Sequence, residues 1–385
     1  LKTYQIYYSS NELPEVWDAI ANHDIFLQSN YLKALENASP NNIQWFYVGI
    51  FNDTELVGVV IIQRVQLYLK DMFRETKVSC FKEFFRNIIS KVLKGNMLVV
   101  GNLTHTGQHG IFFIKNKITP TDYLNMVYKA IEDLKKYIKE NQQKNIRAIM
   151  FKDYYEADVI HNEAEFFNKN QLHKVIVQPN MAMPIKPNWT SNENYIKAFN
   201  KKYRDRYKRA KTKLGNVVCS ELSIDTIKSQ SEKLYKLYLN VSNNAKFNTF
   251  FLPENHFYSL KLQLNDDFKV FGYFLEDELV GFYTLILNGK HLETYFLGYD
   301  EKHQYPNQLY LNMLYDMAKF AIENKFENVV YARTAMEIKS SVGAIPKPMV
   351  IYLKHTNNFL NSILKQLFKL MDPTQKWEQR HPFKD

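Results

Sequence analysis

The sequence predicts an α/β chain of two tandem mixed-sheet domains related by internal duplication, and two recurrences predict it. Residues 49–58 read GIFNDTELVG and residues 272–281 read GYFLEDELVG, with six of ten positions identical. Residues 123–128 (YLNMVY) return at 310–315 (YLNMLY) with five of six identities. The first pair is offset by 223 residues and the second by 187, so the first half carries 36 extra residues, around 67–102. At 385 residues the chain is long enough for two domains of ordinary size, each with its own core. The expected domains are 1–185, with an inserted basic amphipathic segment near 67–102, and 186–385, opening with a basic helix.

Each half is expected to begin with a helical region and continue as hairpin, strand, long helix and strand. In the first half, 45–51 and 56–65 are rich in β-branched and aromatic residues and flank a turn at Asn52, Asp53, Thr54 and Glu55. A short apolar strand follows at 97–100. Helical spacing of Leu124, Val127, Ile131, Leu134 and Ile138 predicts a helix over 122–141, and 146–151 reads as a strand. The second-half equivalents are 270–274, 279–287, 293–298, 309–324 and 329–332. Pro184 and Pro187 rule out a continuing helix and mark a linker.

The net charge of +10 is concentrated: residues 197–213 hold nine Lys or Arg against Asp205 alone. Thr190 or Ser191 is expected to cap this basic helix, since either hydroxyl can accept from a free N–H of the first turn. Ile196, Phe199, Tyr203, Tyr207, Ala210 and Leu214 form its apolar face, so the cations line the others and the two tyrosines read as core. So dense a run of like charge reads as a site for phosphates of a nucleotide or tRNA, as a surface for anionic lipid head groups or as a solvated helix face, the last disfavoured by self-repulsion.

Cys80 and Cys219 are too few for a disulfide framework, and no His, Cys, Asp and Glu spacing matches a zinc site, so no metal is expected. Gly-x-Ser-x-Gly is absent. There is no apolar run of membrane-spanning length, LKTYQIYYSS lacks the core of a signal peptide, and the chain starts at Leu1, so an initiator Met is read as lost or cropped. A reducing cytoplasm is the expected compartment. Residues 81–94 and 359–370 place apolar residues on one side with cations beside them. Each suits docking on a domain, and together with the basic helix they raise peripheral contact with the inner face of an anionic membrane.

The twice-repeated order of elements resembles the tandem fold of Fem-type acyltransferases, in which two GNAT-like domains sit side by side. Residues 331–344, YARTAMEIKSSVGA, resemble the late motif of Fem-type and related GNAT-like domains: a strand, a small residue, Arg, Ser or Thr, then Lys and Gly. The basic stretch 201–213 is similar to the cationic helix that opens the second domain in these families. The resemblance implies transfer of an acyl group to an amine. Lys339 would stabilise negative charge on the donor or intermediate, and Arg333 would position it. Tyr299, Asp300 and Tyr305 occupy the donor-loop position, with Tyr299 a candidate acid for the leaving group. Arg204, Lys208, Arg209, Thr334 and Tyr305 would bind the donor. His109, between Gly107 and Gly110, is a candidate base or acceptor contact, with Gly107 allowing close approach.

One departure matters. GNAT domains cradle the cofactor pyrophosphate in a Gly-rich loop at a helix N-terminus. Residues 298–309 lack those glycines, and 101–110 has three at the wrong spacing. The expected activity is acyl transfer from acyl-CoA or acyl carrier protein to an amine, with a lipid or cell-envelope precursor as an acceptor class. Alternatives are an aminoacyl-tRNA donor, as in the Fem enzymes that build peptidoglycan cross-bridges, and a non-catalytic basic module docking on membrane or nucleic acid.

Overall fold

The computed structural model describes residues 1–67, 94–244, 248–370 and 377–384. By contacts the chain divides into two units, the first made of 1–178, 246–252 and 348–374, the second of 179–245, 253–347 and 375–385. Each contains a mixed α/β sheet structure, and each takes a strand from the other half of the sequence.

The first unit begins with β1 (Lys2–Tyr7), α1 (Val16–Ile20) and α2 (Ser29–Asn37). The hairpin β2 (Ile43–Asn52) and β3 (Glu55–Leu67) follows, then β4 (Gly95–Val100), β5 (Ile111–Phe113), α3 (Pro120–Gln142), β6 (Ile146–Tyr155) and α4 (Ala164–Lys169). The expected hairpin is present, with Asn52 opposite Glu55 and Asp53 at φ 53° in the turn. α3 starts where Pro120 can occupy the first turn without losing a needed donor, and the Thr119 side chain accepts from the Asp122 N–H at 3.2 Å. Its apolar face, Leu124, Val127, Ile131, Leu134 and Ile138, packs on Phe46, Val48, Val60, Ile62 and Leu98 of the sheet.

β7 (His173–Pro184) leads into the second unit. There follow α5 (Asn192–Ala198), α6 (Lys201–Leu214), β8 (Val218–Glu221), α7 (Ile224–Ser229), α8 (Ser231–Asn243) and α9 (His256–Leu264). The repeated core is β9 (Phe268–Leu275), β10 (Glu278–Asn288), β11 (His291–Tyr299), α10 (Glu301–Gln304), α11 (Leu309–Glu323) and β12 (Asn328–Ala332). After α12 (Met336–Ser340), β13 (Ile345–His355) carries the chain back to the first unit, where α13 (Asn358–Leu370) ends it.

The first unit's strand order is β1-β2-β3-β4-β6-β13, with β5 on β3, and the second unit's is β8-β9-β10-β11-β12-β7. Position by position these match, and the last place in each is exchanged. Met349 to His355 of β13 pair antiparallel with β6, while Met181 to Pro184 of β7 pair antiparallel with β12. Val350 and Tyr352 enter the first unit's core, and Met181 and Met183 the second's.

The recurring motifs meet in space, which explains why they recur together. A Cβ on Gly58 would lie 2.7 Å from the Tyr123 ring of α3, and one on Gly281 would lie 2.8 Å from Met313 of α11. In each unit the hairpin glycine lets the long helix lie close on the sheet.

The basic segment differs from expectation. Ser191 does form a capping box with Asn194, but on α5; the chain then breaks at Phe199 and Asn200, and the Asn200 side chain caps α6 by accepting from Tyr203 N–H at 3.4 Å. The break is held by Phe199, whose ring stacks on Phe383 at 5.4 Å and whose backbone bridges to it. The expected helix near the C-terminus is α13; it docks through buried Leu364 and through Asn361, whose side chain accepts from His355 N–H at 2.8 Å. The amphipathic stretch 81–94 falls outside the described residues apart from Lys94. No helix among the described residues is long and apolar enough to cross a membrane.

Candidate active site

The two units differ at the C-terminal ends of their parallel strand pairs, where α/β sheets place ligands. In the first unit, β4 pairs with β6 from Asn96 through Val100. Beyond it, residues 101–110 fold back and are tied down. Gly101 N–H donates to Ile61 O at 2.9 Å and Leu103 N–H to the Gln63 side chain at 2.8 Å. Lys152 Nζ donates to His105 O at 2.7 Å, and Gly107 N–H to Asp153 at 3.2 Å.

In the second unit, β11 and β12 pair only at His291, Leu292 and Glu293 with Asn328, Val329 and Val330. They then diverge. A bulge accompanies the divergence: Tyr283 pairs with Leu297 and Leu285 with Thr294, so Tyr295 and Phe296 stand opposite the single Thr284. Such a bulge bends the strand and re-aims its side chains. A cavity of about 310 Å³ occupies the opening, lined by Tyr295, Leu297 and Tyr299 of β11, Tyr238 and Val241 of α8, Tyr310, Leu314 and Met317 of α11, and Arg333, Thr334 and Lys339.

Three expected residues, Arg333, Thr334 and Lys339, reach this cavity through one strained segment. Ala332, Thr334 and Ala335 have φ of 57°, 66° and 46°, a left-handed conformation disfavoured above all for β-branched Thr. Such strain, about 1–3 kcal/mol per residue, persists only where surrounding structure imposes it. Lys339 supplies part of that restraint. Its Nζ donates to Ala332 O at 3.2 Å and Arg333 O at 2.5 Å, and its side chain lines the cavity. Burial pulls the Lys339 amine down to about 7. Tyr299 also lines the cavity, and burial, with Tyr305 and Glu301 adding to it, raises its pKa and keeps it protonated at neutral pH.

A second cavity, of about 430 Å³, lies at the first turn of α11. Its cations are Arg206, Arg209 and Lys213, spaced three and four apart on α6, and Gln304, Tyr305, Gln308, Leu311 and Ile338 complete the wall. The two cavities are back to back, since consecutive residues line them: Tyr310 one and Leu311 the other, Lys339 one and Ile338 the other. The Gln304 side chain accepts from Tyr310 N–H at 2.9 Å, capping α11 in place of a glycine-rich loop.

The expected residues therefore separate into groups. Arg209 and Tyr305 belong to the cationic cavity, whereas Arg204 and Lys208 line neither cavity and lie on the other flank of α6. Asp300 caps α10 by accepting from Lys302 N–H at 2.9 Å. His109 Nδ1 lies 2.7 Å from Asp24 in the first unit. Burial opposes ionisation of that carboxyl, but the His109 charge and hydrogen bond outweigh it and lower its pKa. Tyr203 is buried and the Tyr207 ring packs on Tyr315 at 4.8 Å, in keeping with a core reading. Sequence reasoning did not single out Arg206 and Lys213 from the charge run, and their spacing from Arg209 was the available signal. It missed Tyr295 altogether.

Gly298 closes the site from behind. A Cβ there would lie 2.4 Å from Leu237 C and 2.5 Å from Tyr238 N, both backbone atoms of α8. Gly298→Ala is expected to push α8 off β11 and cost about 3 kcal/mol, the upper range for overpacking, read as a lower thermal unfolding midpoint.

No known family profile and no curated protein matches the sequence. Solved structures do match. FemX aligns over 95% of this chain and 100% of its own length, with 9% identity and a TM-score of 0.56. A tandem GNAT protein from the clavulanic acid biosynthesis pathway aligns over 93% of this chain and 99% of its own, with 8% identity and a TM-score of 0.51. The chain has the tandem GNAT-like fold of the Fem-type proteins.

Proposed function

We propose that this tandem GNAT-like chain transfers an acyl group from a phosphorylated thioester donor, acyl-CoA or an acyl carrier protein, to an amine, and that the second unit holds the donor. The observation that carries this reading is the divergence of β11 from β12. It opens a largely apolar cavity, with Lys339 and Arg333 on its wall, back to back with a cationic one.

The chemistry divides between the two cavities. Arg206, Arg209 and Lys213, with the positive end of the α11 dipole, suit the donor's phosphates and take the place of the missing glycine loop. The acyl group enters between the strands. A neutral amine attacks the thioester carbonyl, and the Lys339 ammonium and backbone N–H groups meet the charge that develops on oxygen. Arg333 positions the donor, and Tyr299 lines the cavity beside it. A simple acyl group is favoured over an aminoacyl group by the lining: Arg333 and Lys339 are its charged side chains, and no carboxylate among the described residues lines it to receive an α-ammonium. Lys201, Arg204 and Lys208 on the outer flank of α6 are a surface for a larger anionic carrier, whether acyl carrier protein or the tRNA of the rival reading.

The test is mass spectrometry of species retained by the native protein, with thermal shift against acetyl-CoA, long-chain acyl-CoA, acyl carrier protein and bulk tRNA. Stabilisation by a thioester donor supports the reading; stabilisation by tRNA alone would replace it with aminoacyl transfer. Removing Arg206 and Arg209 together is expected to weaken coenzyme A binding about 10- to 100-fold and to flatten its salt dependence, measured by titration calorimetry. Unchanged affinity would remove the cationic cavity from the donor site.

A further inference from the structure

Behind the bulge, a buried histidine touches the cavity wall through a tyrosine. Tyr295 lines the cavity, and its hydroxyl lies 3.0 Å from Nε2 of His256, the first residue of α9. The histidine is fully buried, and the two rings lie nearly parallel, 22° apart with centroids 5.8 Å from each other. Edge-on rings of Phe257 and Phe296 pack against the imidazole. Tyr295 is one of the two residues of the β11 bulge and lines the cavity.

We infer that Tyr295 and His256 form a proton relay for the transfer, Tyr295 meeting the reacting groups and His256 acting as the positioning residue and proton store behind it. The inference rests on the acyl-transfer reading. Attack forms the C–N bond and leaves a proton in excess on nitrogen. Tyr295 Oη accepts that proton while its own passes to His256 Nε2, giving a neutral tyrosine and an imidazolium. When the C–S bond breaks, Tyr295 donates its proton to the departing thiolate and regains one from His256. The amine has lost one proton, the thiol has gained it, and both side chains return to their starting state.

A relay suits this place because a ring nitrogen of a neutral imidazole is a far stronger proton acceptor than a tyrosine hydroxyl, so a proton reaching Tyr295 has somewhere to go between the two steps. The hydrogen bond already made in the folded state supplies the geometry that general acid–base catalysis needs. The expected acid, Tyr299, lines the same cavity, and its ring lies 6.4 Å from that of Tyr310.

The experiment uses the full chain, octanoyl-CoA as donor and hydroxylamine as the nucleophile, with release of coenzyme A thiol and formation of the hydroxamate followed together. Y295F is expected to lower kcat about 100-fold, within the usual range for losing a general acid–base group, while octanoyl-CoA KM stays within about twofold. H256Q keeps an acceptor for the Tyr295 hydroxyl but takes no proton, and it is expected to lower kcat at least about tenfold. Y295F removes one oxygen, so a thermal unfolding midpoint near wild type separates chemistry from misfolding. Wild-type turnover with Y295F kcat within about threefold overturns the relay alone, and H256Q at full rate removes His256 from it. Absence of both turnover and octanoyl-CoA binding in the wild type overturns the acyl-transfer reading, and the relay with it.

Discussion

A chain ended at Lys347 is expected to lose its first unit, although every element of that unit from β1 to α4 would still be present. The deletion removes the segment of β13 that pairs with β6 from Met349 to His355. Tyr352 stacks on Phe167 at 3.6 Å and 6°, and its hydroxyl lies 2.7 Å from His161 Nδ1. Deleting one buried aromatic side chain costs about 3–5 kcal/mol, and a whole domain is stable by about 5–15 kcal/mol. Losing Tyr352, Val350 and a strand's worth of ladder hydrogen bonds therefore exceeds what the unit has. The expected result is a protein whose first unit lacks a cooperative transition and is cut by protease within residues 1–178, with the protection of that unit restored by a peptide covering 348–374. Native amide protection along β6 in the truncated chain would sink the idea that β13 completes this sheet.

Lys339 is expected to give the largest effect on activity. Lys339→Met should lower the transfer rate at least about 100-fold, the scale for losing a donor to a developing oxyanion. Because burial holds the amine at about 7 in the fold, the cation that meets the oxyanion declines as pH rises through that value. The rate of the wild type should therefore fall on the alkaline side of neutrality. Stability should move the other way. Between about 7 and the ordinary lysine range near 10.4, the unfolded chain holds a proton that the folded chain does not, so stability rises with pH there and is lost as pH falls back toward 7. Across pH 7 to 9.5 the gain is about 3 kcal/mol at most, at 1.36 kcal/mol per pKa unit. Chemical denaturation of wild type and Lys339→Met over that range checks it, since the slope should be present only in the wild type. Equal slopes would mean that Lys339 is charged throughout and that its two carbonyl contacts are ordinary ion–dipole bonds.

The order of elements was legible because the hairpin glycines and long helices touch, so the repeats mark one packing solution used twice. The exchange of β7 and β13 was not. Periodicity reports which face of a strand is buried and says nothing of which sheet receives it, and β13 carries Pro346 and Pro348, which disguise it as loop. The late motif brought Arg333, Thr334 and Lys339 to one cavity wall. In the basic run, charge density was visible but its division was not: Arg206, Arg209 and Lys213 face a cavity while Arg204 and Lys208, each two residues from Arg206, do not. Tyr295 and His256 left no sequence signal. They are 39 residues apart, and Tyr295 sits in the β11 bulge, which strand periodicity does not report.

The exchanged strand also sets a clock. During synthesis the first 178 residues emerge long before residue 348, so β6 waits through 170 further residues for its partner. At 5–20 residues per second that is roughly 10 to 30 s during which a ten-residue strand presents an open edge. Open edges recruit other chains. The nascent protein should thus depend on the speed of the ribosome and on chaperones that shield strands, and synonymous codons that slow translation after residue 178 should lower its soluble yield without changing one amino acid.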